Sequence, residues 1–157
     1  MATGPADVRP LRRILVGWDC SPGAAAGLRA AATLAAGGGA AVVALAVLKP
    51  ATRTEDTAEG VADFDERRRF ARETFAEARD RLPGAVRGRV SLEFAESGDP
   101  AAAVCDYAQQ QGFDVLVLGR HGAGGVFHPR LGHVAATAAR KARLPVLLAP
   151  QETDMYR

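Results

Sequence analysis

Charge of one sign is missing from this chain: 20 Lys and Arg face 18 Asp and Glu, a net charge of +2 over 157 residues. A nucleic-acid binder would carry a basic face far from that balance, so no nucleic-acid partner is expected. Cysteine is scarce as well. Cys20 and Cys105 stand far apart in a chain long enough to build a core without staples. Two reduced thiols in a cytoplasmic protein are therefore expected. The first ten residues hold Pro5, Asp7, Arg9 and Pro10 and no apolar run, so a secretory signal is not expected either. Lysine is reduced to Lys49 and Lys141, the other 18 bases being Arg, and alanine supplies about a fifth of the chain. That skew is the mark of a GC-rich coding bias. One uncharged run, Ala30 to Leu48, has the length of a bilayer span. It is interrupted by Gly37, Gly38 and Gly39, each costing about 1 kcal/mol in a helix. Ala-rich before the glycines and Val/Leu-rich after them, it reads as a helix, a break and a strand, and no membrane partner is expected.

What is present is an ordinary globular balance, 48% apolar and 24% charged, at the size of one domain. Residues 12–150 are expected to form it, with flexible segments at 1–11 and 151–157. The apolar run Arg13 to Trp18 is too uniform for a half-exposed strand and should be central. Ser21-Pro22 reads as an N-cap with proline in the first turn of a helix that ends at the three glycines. Ala41 to Leu48 is a second buried strand. After a polar loop, Phe64, Ala71, Phe75, Ala78 and Leu82 mark one face of a helix from Val61 to Leu82. Arg67, Arg68 and Arg69 fall mostly off that face, with Asp65, Glu66 and Glu73 nearby as partners. Arg89 to Glu96 alternates, as a sheet edge does. Asp99-Pro100 opens the next helix, in which Cys105 falls on the buried stripe. Asp114 to Gly119 is a fourth strand, an Ala-rich helix runs to about Arg143, and Leu144 to Ala149 is a fifth strand.

Strands separated by helices imply parallel pairing with right-handed crossovers, a three-layer α/β/α sandwich around a five-stranded parallel sheet. Ligands in such sheets sit beyond the carboxyl ends of the strands where their order reverses. With the first strand central, the loops Asp19-Cys20-Ser21 and Gly119 to Gly132 face one crevice. Several chemistries lack their residues there. Gly119 and Gly124 have phosphate-loop spacing, but Gly125 and Val126 stand where Lys and Ser/Thr are required. No G-x-G-x-x-G follows the first strand, and no nucleophile elbow exists. His121, His128 and His133 share one loop without an acid or cysteine between them, so no metal site is expected.

Gly119-Arg120-His121-Gly122, nine residues, then Gly132-His133 resembles the universal stress protein family, whose nucleotide-binding members carry G-x-x-G, nine residues, then G followed by Ser or Thr. Glycines let backbone N–H groups turn toward phosphates, and the last one opens a helix whose N-terminus favours anions. Asp19 and Ser21 after the first strand, Gly98-Asp99-Pro100 and the closing Leu144-Pro145-Val146-Leu147-Leu148 extend the likeness over residues 12–150. The resemblance implies an adenine nucleotide alpha hydrolase-like fold with strand order 3-2-1-4-5, and a homodimer joined antiparallel through the fifth strand.

It also implies ATP or AMP as ligand, with magnesium accompanying ATP. By position, Gly17, Trp18 and Asp19 would line the adenine and ribose side, and Val47 would meet the base. Leu118, Gly119, Arg120, His121 and Gly122 would run beneath ribose and phosphates, and Gly132, His133 and Val134 would face the phosphates. For Asp19 a helix-start cap, and for Trp18 core packing, are the competing structural roles. The departures are His133 and Ala135, where relatives offer hydroxyls. A stress regulator that binds an adenine nucleotide is expected, with a chaperone-like or interaction module of weakened nucleotide affinity as the alternative. With no carboxylate pair and no base beside a nucleophile, hydrolysis would be slow and incidental. The protein partner is not readable.

Overall fold

The computed structural model describes residues 8–50, 58–122 and 131–151. In chain order the elements are β1 (Arg13–Gly17), α1 (Pro22–Ala36), β2 (Ala41–Leu48), α2 (Ala58–Asp80), α3 (Gly84–Arg87), β3 (Val90–Glu96), α4 (Pro100–Gln110), β4 (Val115–Gly119), α5 (His133–Lys141) and β5 (Val146–Ala149). The sheet is parallel throughout, in the order β3-β2-β1-β4-β5 expected from the resemblance.

Two cores lie on the two faces. Ile14, Val16, Val42 and Val117 point to one, against Leu28 of α1, Phe75 of α2 and Val86 of α3. Leu15, Leu45, Leu116 and Leu118 point to the other, against Val104 of α4 and Ala138 of α5. Burial on both faces is why β1 and β4 read as unbroken apolar runs. The alternating β3 is an edge strand, as its pattern implies. The run Ala30 to Leu48 is the end of α1, three glycines and β2. Among the described residues, no helix is long and apolar enough to cross a membrane.

The helix starts follow their caps. Ser21 Oγ accepts from Ala24 N at 3.0 Å, and Asp99 Oδ1 accepts from Ala102 N at 3.2 Å. Three local expectations need correction. The single-turn α3 after Pro83 carries no sequence signal that was read. The fifth strand begins at Val146, because Pro145 has no N–H to give and offers only its carbonyl, which accepts from Leu116 N at 2.9 Å. In the run Arg67 to Arg69 of α2, only Arg69 meets an acid expected for it. Arg67 pairs with Asp63 at 3.2 Å and Arg69 with Glu73 at 4.0 Å, while Arg68 and Arg72 lie over the Phe94 ring at 5.0 and 5.3 Å.

Two polar side chains hold the strand entries. Arg89 donates to the carbonyls of Ala35, Ala40 and Ala85, tying the end of α1, the entry to β2 and α3 together. Asp114 Oδ2 accepts from the N–H groups of Arg12 and Arg13, both at 2.9 Å, and Asp114 N donates back to Arg13 O at 2.9 Å. Those two backbone donors hold the Asp114 carboxyl below its usual range, with Arg9 and Arg12 adding to the effect. A carboxyl whose folded pKa is depressed contributes stability that is present above its unfolded pKa and lost as pH falls through the folded one. Asp114→Ala should therefore cost about 2–3 kcal/mol at neutral pH. In urea melts the difference from the unaltered protein should shrink as pH falls below about 4. A gap that persists undiminished in acid would assign the loss to something other than this carboxylate.

Candidate functional site

β1 and β4 pair only as far as Val16 and Val117, while β4 continues beside β5 to Gly119 and Ala149. Their carboxyl ends part where the strand order reverses. A cavity of about 580 Å³ opens there, within the range of small-molecule sites. Of the residues expected from the sequence, all but Arg120 border it. Leu45, Val47 and Leu118 come from the sheet, Pro100 and Val104 from α4, and His133, Val134 and Ala135 from the first turn of α5. The walls are mostly apolar, with polar groups at the two loops.

The β1–α1 loop is shaped by its own side chains. Asp19 Oδ1 accepts from Ser21 N at 3.0 Å, an Asx turn that leads into the Ser21 cap. Cys20 between them takes a positive φ of 66°. The cap-like role weighed for Asp19 is thus present, and its Oδ2 lies against the glycine motif. A Cβ on Gly122 would stand 2.8 Å from that oxygen, so the two loops touch through the missing side chain. Trp18 borders the cavity, but its ring is in the core, edge-on to Phe75 at 5.8 Å between centroids. Core packing, the competing role, is what the ring does.

On the glycine motif, Arg120 stands apart for a backbone reason. Its N–H donates to Ala149 O at 3.0 Å and its carbonyl accepts from Gly132 N at 2.7 Å, so it stitches β4 to β5 and to the start of α5. The Gly132 N–H, one of the donors offered to phosphate by the motif, is thereby committed inside the protein. His121 is buried and borders the cavity, and its Nδ1 has no hydrogen-bond partner among the described residues. Gly132 is the N-cap of α5 with no side-chain cap on the helix. The first-turn amides of α5 stay available to an anion. His128 and Arg130 lie outside the described residues.

One contact escaped the sequence reading. Gly23, in the first turn of α1, lies under the glycine motif: a Cβ there would collide with the His121 carbonyl oxygen, and a Cβ on Gly119 would stand 2.6 Å from the Gly23 carbonyl carbon and oxygen. The signal was a glycine inside a helical pattern, which costs stability unless a close approach needs it. Ser21, Ala24, Leu45, Pro100, Val104, Leu131 and Ala135 also border the cavity without having been singled out as binding residues.

The profile of the universal stress protein family matches residues 10–150. The chain belongs to the universal stress protein family. The structure is similar to universal stress protein UspA from Lactobacillus plantarum, at a TM-score of 0.78 and 20% identity over 90% of this chain and 99% of that one. It is similar to a universal stress protein in complex with cAMP, at 0.71 and 25% over 92% and 100%. A third, the universal stress protein from Archaeoglobus fulgidus in complex with dAMP, gives 0.57 and 22% over 90% and 99%. A search of curated protein sequences returned no match.

Gly23→Ala should destabilise the protein by about 3 kcal/mol, because backbone on both sides has no room to yield. That is a fall of roughly 10 °C in Tm for a chain of this size. Gly37→Ala, with open space around the site and a φ of −88°, should leave Tm within about 2 °C. Equal losses at the two positions would mean that the Gly23 contact is not specific.

Proposed function

We propose that this cavity binds an adenine nucleotide and that the protein acts through that ligand as a stress-response regulator in the cytoplasm. The observation that carries the reading is the meeting of an apolar slot with the uncapped N-terminus of α5, in one cavity at the strand-order reversal. The slot, walled by Leu45, Val47, Val104 and Leu118, has the chemistry for a base and ribose. The first turn of α5 has the dipole and donors for phosphate. Two similar proteins, crystallised with cAMP and dAMP, hold adenine nucleotides of one phosphate each. Asp19 is the single acid on the cavity wall among the described residues, and Oδ1 is engaged with Ser21 N. Magnesium would therefore arrive with ATP, on phosphate oxygens and water. Any hydrolysis in such a site is slow, below about 1 per second.

The phosphate end is the weaker half. His133 and Ala135 offer no hydroxyl, the Gly132 N–H is taken, and a helix N-terminus opposes a protonated histidine. Each absent charge-assisted hydrogen bond costs about 1.5–3 kcal/mol, so together they weaken ATP by roughly 10²- to 10⁴-fold. In calorimetry, adenosine and AMP should compete nearly as well as ATP. The double change His133→Ser with Ala135→Thr should tighten ATP selectively. ATP binding far more tightly than AMP to the unaltered protein would contradict this. Absence of binding by all three would favour the second reading, an interaction module of the same fold that has lost its nucleotide. That reading draws on the same two missing hydroxyls.

The proposal includes a homodimer through β5. Val146, Leu147 and Leu148 are half-buried, and the strand pairs with β4 alone. An apolar sheet edge invites a partner strand, and a two-fold mate supplies one antiparallel. Light scattering at micromolar concentration should give twice the chain mass; a monomer would count against it.

A further inference from the structure

A second cavity lies on the other side of the β1–α1 loop. It holds about 440 Å³ and is walled by α1, α2, the loop itself and Gln151 just after β5. Only Trp18 and Ser21 border both cavities. From α1, Ala25 and Arg29 face this one, four residues apart. From α2, Thr74, Glu77 and Ala78 face it at the spacings that place residues on one side of a helix, and Arg81 borders it just past the helix end.

The lining has a definite chemistry. Arg29 of α1 and Arg81, just past the end of α2, both border the cavity, and neither forms an ion pair among the described residues. Guanidinium groups are planar forks of donors that match a carboxylate or a phosphate. Thr74 spends its hydroxyl proton on the helix carbonyls of Phe70 and Ala71 at 3.0 and 3.2 Å, so the two arginines are the donors that count on this wall. Trp18, on the wall, has a buried indole N–H without a partner among the described residues, which is costly in a folded interior and rare without a reason. Among the described residues Glu77 is the one acid of the wall, so their side chains sum to a single positive charge. It repels a second oxyanion and accepts from a hydroxyl or ammonium group. The volume suits a small molecule.

We infer that the α1–α2 cavity is a second binding site, for a small organic anion with one oxyanion head and a hydroxyl or amino group. Apart from the shared Trp18, no residue of this site is one assigned to nucleotide, and the site is independent of whether the first cavity binds one. It also gives Cys20 a place: that thiol borders this cavity and not the first.

The chain carries its own reporters, since Trp18 is the only tryptophan and Cys20 is less buried than Cys105. Glycerol phosphate and lactate serve as probes with phosphate and carboxylate heads, against sodium chloride at matched ionic strength. One or both should change Trp18 emission saturably and slow alkylation of Cys20 by iodoacetamide at least about threefold at saturation. A response to glycerol phosphate alone assigns a phosphate head, and one to lactate alone a carboxylate. Arg29→Gln and Arg81→Gln, both on exposed side chains, should each raise the midpoint about tenfold or more. No saturable change with either probe up to about 10 mM, or midpoints unmoved in both variants, would overturn the site.

Discussion

The close approach of Gly23 to the end of β4 is the constraint on which the site depends. Helix α1 can begin under the glycine motif only because neither Gly23 nor Gly119 carries a side chain, leaving the His121 carbonyl to rest on the helix. With that contact made, the loop from Trp18 to Ser21 must turn sharply away, and the positive φ of Cys20 and the Asx turn of Asp19 are how it does so. Asp19 then reaches Gly122, and Gly122 and Arg120 in turn pack against Gly132 at the start of α5. A chain of backbone contacts thus runs from the first helix to the last. The cavity is the space left between them where β1 and β4 part.

This construction has an electrostatic consequence. The contacts that fix the loops consume donors that an anion would otherwise meet: Arg120 N goes to β5 and Gly132 N to Arg120 O. What stays available to a phosphate is the dipole and first-turn amides of α5, without a side-chain hydroxyl. The apolar wall from the sheet and α4 is undiminished by the same bookkeeping. An adenine nucleotide in this cavity would therefore be held mainly by its base and sugar, and the number of phosphates would matter less than the family's glycine pattern suggests.

Much of the fold was legible because its signals are local. Ser21-Pro22 and Asp99-Pro100 announce helix starts through side chains that cap their own turns, and continuous apolar runs announce strands covered on both faces. Strand order was legible only through the likeness of Gly119 to His133 to a known pattern, since periodicity carries no information on which strands are neighbours. The crevice residues followed from the strand-order rule and that same likeness. What was not legible depends on distant partners. Nothing near Arg89 tells of the Ala35 and Ala40 carbonyls brought from the end of α1 and the entry to β2, and nothing near Asp114 tells of the Arg12 and Arg13 amides about a hundred residues away. Gly23 was visible as a costly helical glycine, but the His121 carbonyl that explains it arrives only with the tertiary fold. Arg68 looked like solvated charge until β3 placed Phe94 beneath it.

The central claim is that the crevice between β1 and β4 holds the adenosine part of a nucleotide. A crystal structure of the protein grown with AMP tests it most directly. The account predicts the base in the slot bordered by Val47, Leu45 and Val104, the ribose near Asp19 and Gly122, and the phosphate turned to the first turn of α5. AMP bound on the α1–α2 side of the β1–α1 loop, or an empty crevice at millimolar AMP, would contradict it.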